Sequence, residues 1–144
     1  MYVNQNKVKG LLLGYGSEEE RKETLTSSML LISSMGIYGL LLLERLLRIR
    51  NLIGEIPDED YYIHCLAVSP ELRGQGIGSL LMKEAERIAK LSNKKRISLL
   101  VEARNKRAIK FYLREGFKVI GQRYDTSFKQ RFNFDSYMKM TKAL

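Results

Sequence analysis

The chain contains one cysteine, one histidine, two prolines and no tryptophan among its 144 residues. The lone Cys65 cannot form a disulfide within the chain, and one thiol with one imidazole, His64, is too small a ligand set for a structural zinc site. We therefore expect no resident metal and a reducing, cytoplasmic compartment. Residues 1–10 lack the basic and then apolar pattern of a secretory signal, which agrees with that location.

Glycine and proline are not in excess, and 44% of the residues are hydrophobic. This composition excludes collagen-like and intrinsically disordered chains. The length matches the usual size of one domain. Residues 1–144 are therefore predicted to form a single domain with one core.

Acidic residues are fewer than basic ones: 16 Asp and Glu stand against 25 Lys and Arg, for a net charge of +9. Such a chain attracts polyanions, and nucleic acid, anionic lipid and a phosphorylated cofactor all satisfy the sign. Long runs of like charge are missing, and no basic strand is interleaved with aromatic residues. We therefore do not expect nucleic acid as a partner, and we assign part of the charge to a phosphorylated cofactor.

Residues 24–43 carry no charge, a length that reaches across a bilayer. Ser and Thr are frequent in the first half, and Gly36 and Gly39 weaken a continuous helix at the centre. Two shorter helices near 18–35 and 38–52 fit better, packed on the domain or on a second copy of the chain. Ser17 and the three glutamates after it resemble a capping box and predict where the first helix starts. We expect no membrane contact. Packing of these helices on a second copy of the chain would make a homodimer.

Strand and helix patterns alternate along the rest of the chain. Strands are predicted at 7–15, paired with 1–3, and at 61–68, 96–102, 118–124 and 136–142. An amphipathic helix is predicted between the strands 61–68 and 96–102, and it is expected to bury Ile77, Leu80, Leu81, Ala85, Ile88, Ala89 and Leu91. A second helical pattern, 105–114, ends before Gly116, which suits a left-handed cap. This order predicts an α/β or α+β fold with one βαβ unit.

A glycine-rich turn, Arg73-Gly74-Gln75-Gly76-Ile77-Gly78, joins the strand ending at Val68 to the following helix. Glycines let a backbone approach a ligand closely and aim successive N–H groups at one anion, which the helix dipole also favours. The turn is typical of a diphosphate cradle, and it also fits a plain tight connection. A Walker loop and a dinucleotide fingerprint are both excluded, because no Lys-Ser or Lys-Thr follows Gly78 and the glycine spacing differs.

The turn and the segments around it resemble the GCN5-related N-acetyltransferase (GNAT) superfamily. Leu66 to Leu72 followed by R-G-Q-G-I-G is similar to the superfamily's acetyl-CoA motif R/Q-x-x-G-x-G/A. Its later motif, V-x-x-x-N-x-x-A-x-x-x-Y-x-x-x-G-F, is matched by Val101, Asn105, Ala108, Tyr112, Gly116 and Phe117. The resemblance spans about residues 61–120. It implies an acyl-CoA N-acyltransferase-like fold, a mixed and mostly antiparallel sheet flanked by helices, with acetyl-CoA as acyl donor.

The resemblance also implies roles for the matching residues. The strand before the turn splays from its neighbour and its backbone binds the pantetheine arm, the turn amides hold the diphosphate, Asn105 contacts the arm, and Tyr112 protonates the departing thiolate. Asn105 also fits a helix N-cap, and Tyr112 a core aromatic. The expected cofactor-binding residues are Leu66, Ala67, Val68, Arg73, Gly74, Gln75, Gly76, Ile77, Gly78, Ser79, Asn105 and Tyr112.

Transfer to an amine also needs a general base, because an ammonium must lose a proton before its nitrogen attacks. Strand alternation puts His64 on one face with Tyr62, Leu66 and Val68, and puts Cys65 on the other face as a buried apolar residue. The segment 64–68 resembles serotonin N-acetyltransferases, in which a histidine at this place is the base. His64 is one candidate base, and a structural histidine is the other interpretation. The alternative bases, or anchors for the substrate amine, are Glu55, Asp58, Glu59, Asp60 and Glu102.

The predicted order of elements departs from the superfamily at its beginning. Members normally start with a strand and two helices that shape the acceptor pocket, whereas the predicted hairpin here starts at Met1. The helical insertion 18–52, before the cofactor-binding strand, is expected to fill that space or to make a dimer contact. The resemblance implies an acetyl-CoA-dependent N-acetyltransferase that transfers acetyl directly to a primary amine of unknown identity in a ternary complex. The alternative is a non-catalytic CoA-binding or oligomeric protein that has lost its acceptor site.

Overall fold

The computed structural model describes residues 1–4, 7–19, 21, 22, 26, 29, 33, 56–124 and 136–144. Two helices in this part of the chain are α1 (Ile77–Leu91) and α2 (Lys106–Arg114), and Pro70–Leu72 forms a short 3₁₀ turn. These helix bounds, and the strand bounds that follow, confirm the predicted strands and both of these helices. The strands are β1 (Tyr2–Asn4), β2 (Lys7–Tyr15), β3 (Asp60–Val68), β4 (Arg96–Glu102), β5 (Lys118–Tyr124) and β6 (Ser136–Ala143).

The six strands form one sheet in the order β1-β2-β3-β4-β6-β5. Strands β3 and β4 pair in parallel, and every other neighbouring pair is antiparallel. The predicted mixed, mostly antiparallel sheet is therefore confirmed. Helix α1 connects the two parallel strands, as a βαβ unit requires.

A helix begins at Ser17, where the acidic run predicts one, and the described residues up to 33 are helical. Its capping differs from the prediction. Glu19 accepts a hydrogen bond from the Gly16 backbone N–H at 3.0 Å, but the Ser17 hydroxyl donates to Asp58 at 2.7 Å instead of capping the helix. The predicted second helix at 38–52 lies outside the described residues.

Helix α1 covers one face of the sheet and closes the core. Met82, Ala85 and Ala89 are almost completely buried and pack with strand residues such as Ile97 and Leu99. The prediction that Leu80, Ile88 and Leu91 are buried is wrong, because they are 55%, 38% and 70% exposed. They lie beside the stripe of the helix that contacts the sheet, which runs along Leu81, Ala85 and Ala89.

A β-bulge in β3 changes which side chains share a face. Leu13 pairs with Cys65 and Gly14 pairs with Ile63, so His64 is an extra residue opposite β2. Ile63 lies in the core, and Leu66 packs against the same core although three positions separate them. The predicted grouping of His64 with Leu66 and Val68 is therefore wrong, because simple alternation fails beyond the bulge. The prediction of a buried Cys65 is wrong too, since Cys65 is exposed.

The parallel strands β3 and β4 separate next to the bulge. Pairing between β3 and β4 joins Asp60–Ile63 to Arg96–Leu99 and goes no further. The segment Leu66–Val68 still pairs with β2 on its other side. This leaves one backbone edge of β3 open at its carboxyl end, as the resemblance implies.

Among the helices of the described residues, none combines the length and apolar character that a membrane span requires.

Candidate functional site

A cleft of about 550 Å³ lies where β3 parts from β4, between the amino end of α1 and one face of α2. Its walls bring together all of the predicted cofactor-binding residues except Gln75, whose side chain donates to the Glu71 carbonyl at 3.1 Å. His64 does not line it. The cleft is also lined by Leu72, Arg107, Ala108, Phe111 and Arg114.

The first two glycines of the turn are required by backbone conformation. Gly74 and Gly76 have φ angles of 83° and 81°, in the left-handed region that L side chains rarely adopt. No atom lies within 4 Å of a Cβ placed on either residue. Gly76 is the N-cap of α1, and the first turn of this helix carries no acidic residue. The open space, the free helical N–H groups and the helix dipole suit an anion.

The third glycine has a different role, because it lets the two helices meet. A Cβ on Gly78 would lie 3.2 Å from ring atoms of Phe111. One residue further along α1, the Ser79 hydroxyl donates to the Glu115 carboxylate at 2.5 Å. These contacts hold the amino end of α1 against the carboxyl end of α2 and fix the width of the cleft.

The turn is tied to the sheet on both sides. Arg73 Nε donates to the Val68 carbonyl at 3.1 Å. Lys9 on β2 forms an ion pair with Glu71 at 2.5 Å, and its carbonyl accepts from the Ser69 backbone N–H at 2.9 Å. The hydrogen bond from Lys9 is the main reason that the pKa of Glu71 falls to about 2. The anion-facing turn is thereby anchored to β2 before any ligand arrives.

Tyr112 is buried at the base of the cleft, with 9% of its surface exposed. Its ring stands edge-on to Phe111 and Phe117, at centroid distances of 5.3 and 5.6 Å. Burial raises the pKa of the phenol above its ordinary value of 10, and the electrostatic influence of nearby Cys65 acts in the same direction. The phenol therefore keeps its proton at neutral pH and is available as an acid.

Asn105 caps helix α2 at the rim of the cleft. Its side-chain oxygen accepts from the Ala108 N–H at 3.0 Å, which confirms the predicted N-cap. The side-chain amide nitrogen is not part of that bond. Gly116, with φ 91°, follows the C-cap of α2 in the predicted left-handed conformation.

His64 lies on the face of the sheet opposite α1. It is exposed and contacts Tyr15 and Tyr62, whose ring centroids lie 5.9 and 6.4 Å from its own. The Tyr15 hydroxyl lies 3.4 Å from His64 Nδ1. Because of the bulge, His64 and Leu66 lie on opposite faces of the sheet, and His64 lies outside the cleft that Leu66 and Tyr112 line.

Three of the predicted alternative bases occupy the opposite end of β3 from the cleft. Asp58 accepts from Ser17 and Arg21, the Glu59 carboxylate from Lys95, and the buried Asp60 from Arg96 at 2.8 Å. The hydrogen bonds from Ser17 and Lys95 are the largest causes that lower the pKa values of Asp58 and Glu59. Six residues of strand, roughly 20 Å, separate Asp60 from Leu66. Glu55 lies outside the described residues, and Glu102 is half-buried at the end of β4.

Two charged cleft residues were missed from the sequence. Arg107 and Arg114 line the same wall as Phe111, at helical spacings of four and three residues from it. The motif gave no signal for them, because helical periodicity from Tyr112 leads to Ala108, whereas the two arginines share a face with Phe111, which the motif does not include. Groups of three or more His, Cys, Asp or Glu side chains able to hold a metal ion are absent from the described part of the chain.

Comparison with known proteins gives a sequence-level match. Residues 42–117 match the acetyltransferase (GNAT) family. The chain is 43% identical to an uncharacterized N-acetyltransferase of Methanocaldococcus jannaschii over 56 residues, which are 39% of this chain and 25% of that protein. It is 40% identical to aminoalkylphosphonate N-acetyltransferase of Salmonella typhimurium over 68 residues, 47% of this chain and 40% of the relative. The matched segment thus spans less than half the length of either relative.

A similar solved structure is that of Arabidopsis thaliana Naa50 in complex with the bisubstrate analogue CoA-Ac-MVNAL. The two chains are 28% identical, with a TM-score of 0.53, and the superposition covers 59% of this chain and 55% of the other.

Proposed function

Because the chain belongs to the acetyltransferase (GNAT) family, which confirms the predicted resemblance, we propose that it is an acetyl-CoA-dependent N-acetyltransferase acting on a primary amine. The cleft is the observation that carries this proposal. It combines an anion-binding helix end, an open strand edge and a protonated phenol, which match the diphosphate, the amide-bearing arm and the thioester of acetyl-CoA.

The residues of the cleft fit this donor along its length. Backbone N–H groups from Gly74 to Ser79 bind the diphosphate, and the open edge of Leu66–Val68 offers the arm the hydrogen bonds of a missing strand. Arg107 and Arg114 add positive charge on the opposite wall. Naa50, a structural relative, was solved with a CoA-linked analogue, which supports the same class of ligand here.

Direct transfer needs one acid and one base. Acetyl-CoA supplies an acetyl thioester, and the new C–N bond forms as the C–S bond breaks. Tyr112 donates its proton to the departing sulfur and regains one from solvent. His64 accepts the proton that the acceptor ammonium must lose, and the second nitrogen proton leaves to solvent, so the products are an amide and a free thiol. The positions of the two residues support this division, because Tyr112 lines the cofactor cleft and His64 lies outside it, on the face of the sheet with Tyr15 and Tyr62.

Isothermal titration with acetyl-CoA tests the binding half of the proposal. We expect binding by the wild-type chain and its loss in Gly76→Glu, since the new carboxylate would repel the diphosphate. Gly121→Glu is the matched control, because Gly121 on β5 also has open space around a Cβ. Failure of a folded wild-type chain to bind acetyl-CoA would refute the proposal.

Turnover is tested by thiol release with a panel of amines: a peptide N-terminus, lysine, a polyamine, an aminoglycoside and an aminoalkylphosphonate. Tyr112→Phe should lower kcat about a hundredfold or more, in the range of lost general-acid catalysis. Tyr124→Phe, an exposed tyrosine on β5, should not. Binding without turnover of any amine would favour the non-catalytic alternative.

We also propose that the segment 18–52 belongs to the same single domain. Ser17 and Arg21 both contact Asp58, and Tyr15 pairs with Tyr62, so the segment leaves and rejoins the sheet at one place. Replacing 20–54 by a short turn should prevent folding or change the mass measured by sedimentation, according to whether the segment packs within the chain or in a homodimer. A folded product of unchanged association would contradict this. The exposed thiol of Cys65 fits the reducing cytoplasm that we propose as its location.

A further inference from the structure

The Tyr15–His64 contact joins two strands on the face of the sheet opposite α1. The Tyr15 hydroxyl oxygen and His64 Nδ1 are 3.4 Å apart, and the two rings are inclined by 33°. We infer that Tyr15 is a positioning residue for His64: its oxygen accepts a hydrogen bond from Nδ1–H and leaves Nε2 unprotonated toward the acceptor amine. The inference rests on the proposed function, in which the acceptor ammonium gives its proton to His64.

Strand pairing and alternation place Tyr15 and His64 on one face of the sheet. Tyr15 pairs with Tyr62, so these two side chains share a face, and the extra residue His64 is turned to the same side. In a regular β3 His64 would lie directly opposite Leu13, whereas the bulge pairs Leu13 with Cys65 and makes His64 the extra residue beside Tyr15. Tyr62, almost fully buried, packs against both other rings and limits how far the imidazole can rotate. The contact is therefore a product of strand register.

The tautomer decides whether His64 can act as a base. A neutral imidazole has one N–H donor and one acceptor nitrogen, and only the acceptor can take a proton. If Nε2 carried the proton, the acceptor nitrogen Nδ1 would face Tyr15, and Nε2 could not take a proton from the amine. With Nδ1–H bonded to Tyr15, Nε2 is the acceptor, and the bond persists after proton uptake because both nitrogens then donate.

The experiment uses the fact that His64 is the chain's single histidine. Long-range ¹H–¹⁵N NMR spectra of the uniformly labelled chain therefore report one imidazole. In mildly alkaline buffer, where imidazoles are neutral, we expect the Nδ1–H tautomer to dominate in the wild type. Tyr15→Phe should shift it toward Nε2–H, and Tyr124→Phe should leave it unchanged. A wild-type chain in the Nε2–H tautomer, or an unaltered tautomer in Tyr15→Phe, would overturn the inference.

The kinetic arm separates this inference from the proposed function. With an amine that the wild type acetylates, Tyr15→Phe should lower kcat about three- to tenfold and leave the KM for acetyl-CoA unchanged, because the cofactor cleft does not include Tyr15. An altered tautomer with unchanged kcat would overturn the positioning role. The spectrum is read without any amine, so a chain that turns over nothing still gives a result on the Tyr15–His64 contact.

Discussion

Phe111 on α2 lies directly against Gly78 on α1, so that a Cβ on the glycine would be 3.2 Å from the aromatic ring. This contact closes one end of the cleft, beside the hydrogen bond from Ser79 to Glu115. In a helix interior, alanine is otherwise preferred to glycine by about 1 kcal/mol. The glycine therefore serves helix packing at the expense of helix propensity.

We predict that Gly78→Ala separates these two effects in a double-mutant cycle with Phe111→Leu. In the wild-type background the added methyl pushes against the ring, and we expect weaker acetyl-CoA binding with little gain in the free energy of unfolding. In the Phe111→Leu background the clash is relieved, and alanine should stabilise by up to about 1 kcal/mol. Urea unfolding and titration of all four chains should give a coupling energy of about 0.5 kcal/mol or more. Additive effects would show that the contact does not limit the cleft.

A second prediction concerns Gly76, where φ is 81° and a side chain would meet no atom. Gly76→Ala should cost about 1–2 kcal/mol of unfolding free energy through backbone strain alone. It should also weaken acetyl-CoA binding by about tenfold, because the strained turn no longer aims its N–H groups at the diphosphate. Gly121→Ala is the control, with the same open space but without a positive φ. Equal effects of the two substitutions on binding would argue against the cradle.

A third prediction concerns the charge on helix α2. Arg114 lines the cleft and Lys110 does not, although both are exposed and on the same helix. Arg114→Gln should weaken acetyl-CoA binding by about fivefold, the size of one solvent-exposed charge-assisted hydrogen bond near 1 kcal/mol. It should also flatten the dependence of the dissociation constant on salt. Lys110→Gln should alter neither by more than a small factor. Indistinguishable variants would mean that only the overall net charge matters.

How far the sequence predicts this molecule depends on whether a signal is local. The bounds of α1 and α2, the N-cap at Asn105 and the left-handed Gly116 all follow from neighbouring residues, and all are confirmed. The role of Ser17 was wrong because its hydroxyl bonds to Asp58, 41 positions away. A capping motif has no information about so distant a partner.

The bulge at His64 is the larger difference between what the sequence predicts and what the structure shows. Nothing in the run Tyr-Ile-His-Cys-Leu marks an extra residue, since a bulge arises from the pairing of two strands. One unpredicted residue then moves Cys65 and Leu66 to faces other than those that alternation predicts, while His64 keeps the face of Tyr62. The cofactor-side motif was unaffected, because it depends on backbone and on glycine conformation.

A fourth prediction concerns Glu71, whose pKa falls from 4.5 to about 2, mainly because Lys9 donates a hydrogen bond to it and next because Ser69 does. A carboxylate with a lowered pKa stabilises the fold fully above its unfolded value, near 4.5, and loses this contribution as the pH falls toward 2. The difference in urea midpoint between wild type and Glu71→Gln should therefore be constant near neutrality and shrink over that acidic range. Lys9→Met should show the same trend, because it removes the partner. A difference independent of pH would contradict the ion pair.

The last prediction uses Cys65 to test the bulge itself. Simple alternation buries this thiol, whereas the structure exposes it. Because the chain has no other cysteine, a thiol reagent such as iodoacetamide should label the native protein once, at a rate close to that of the chain unfolded in urea, and should not label Cys65→Ser. A strong protection of the native thiol would mean that β3 keeps regular alternation. In that case Leu66 would share a face with His64 and Tyr62, and its placement on the core side, next to the cleft, would be wrong.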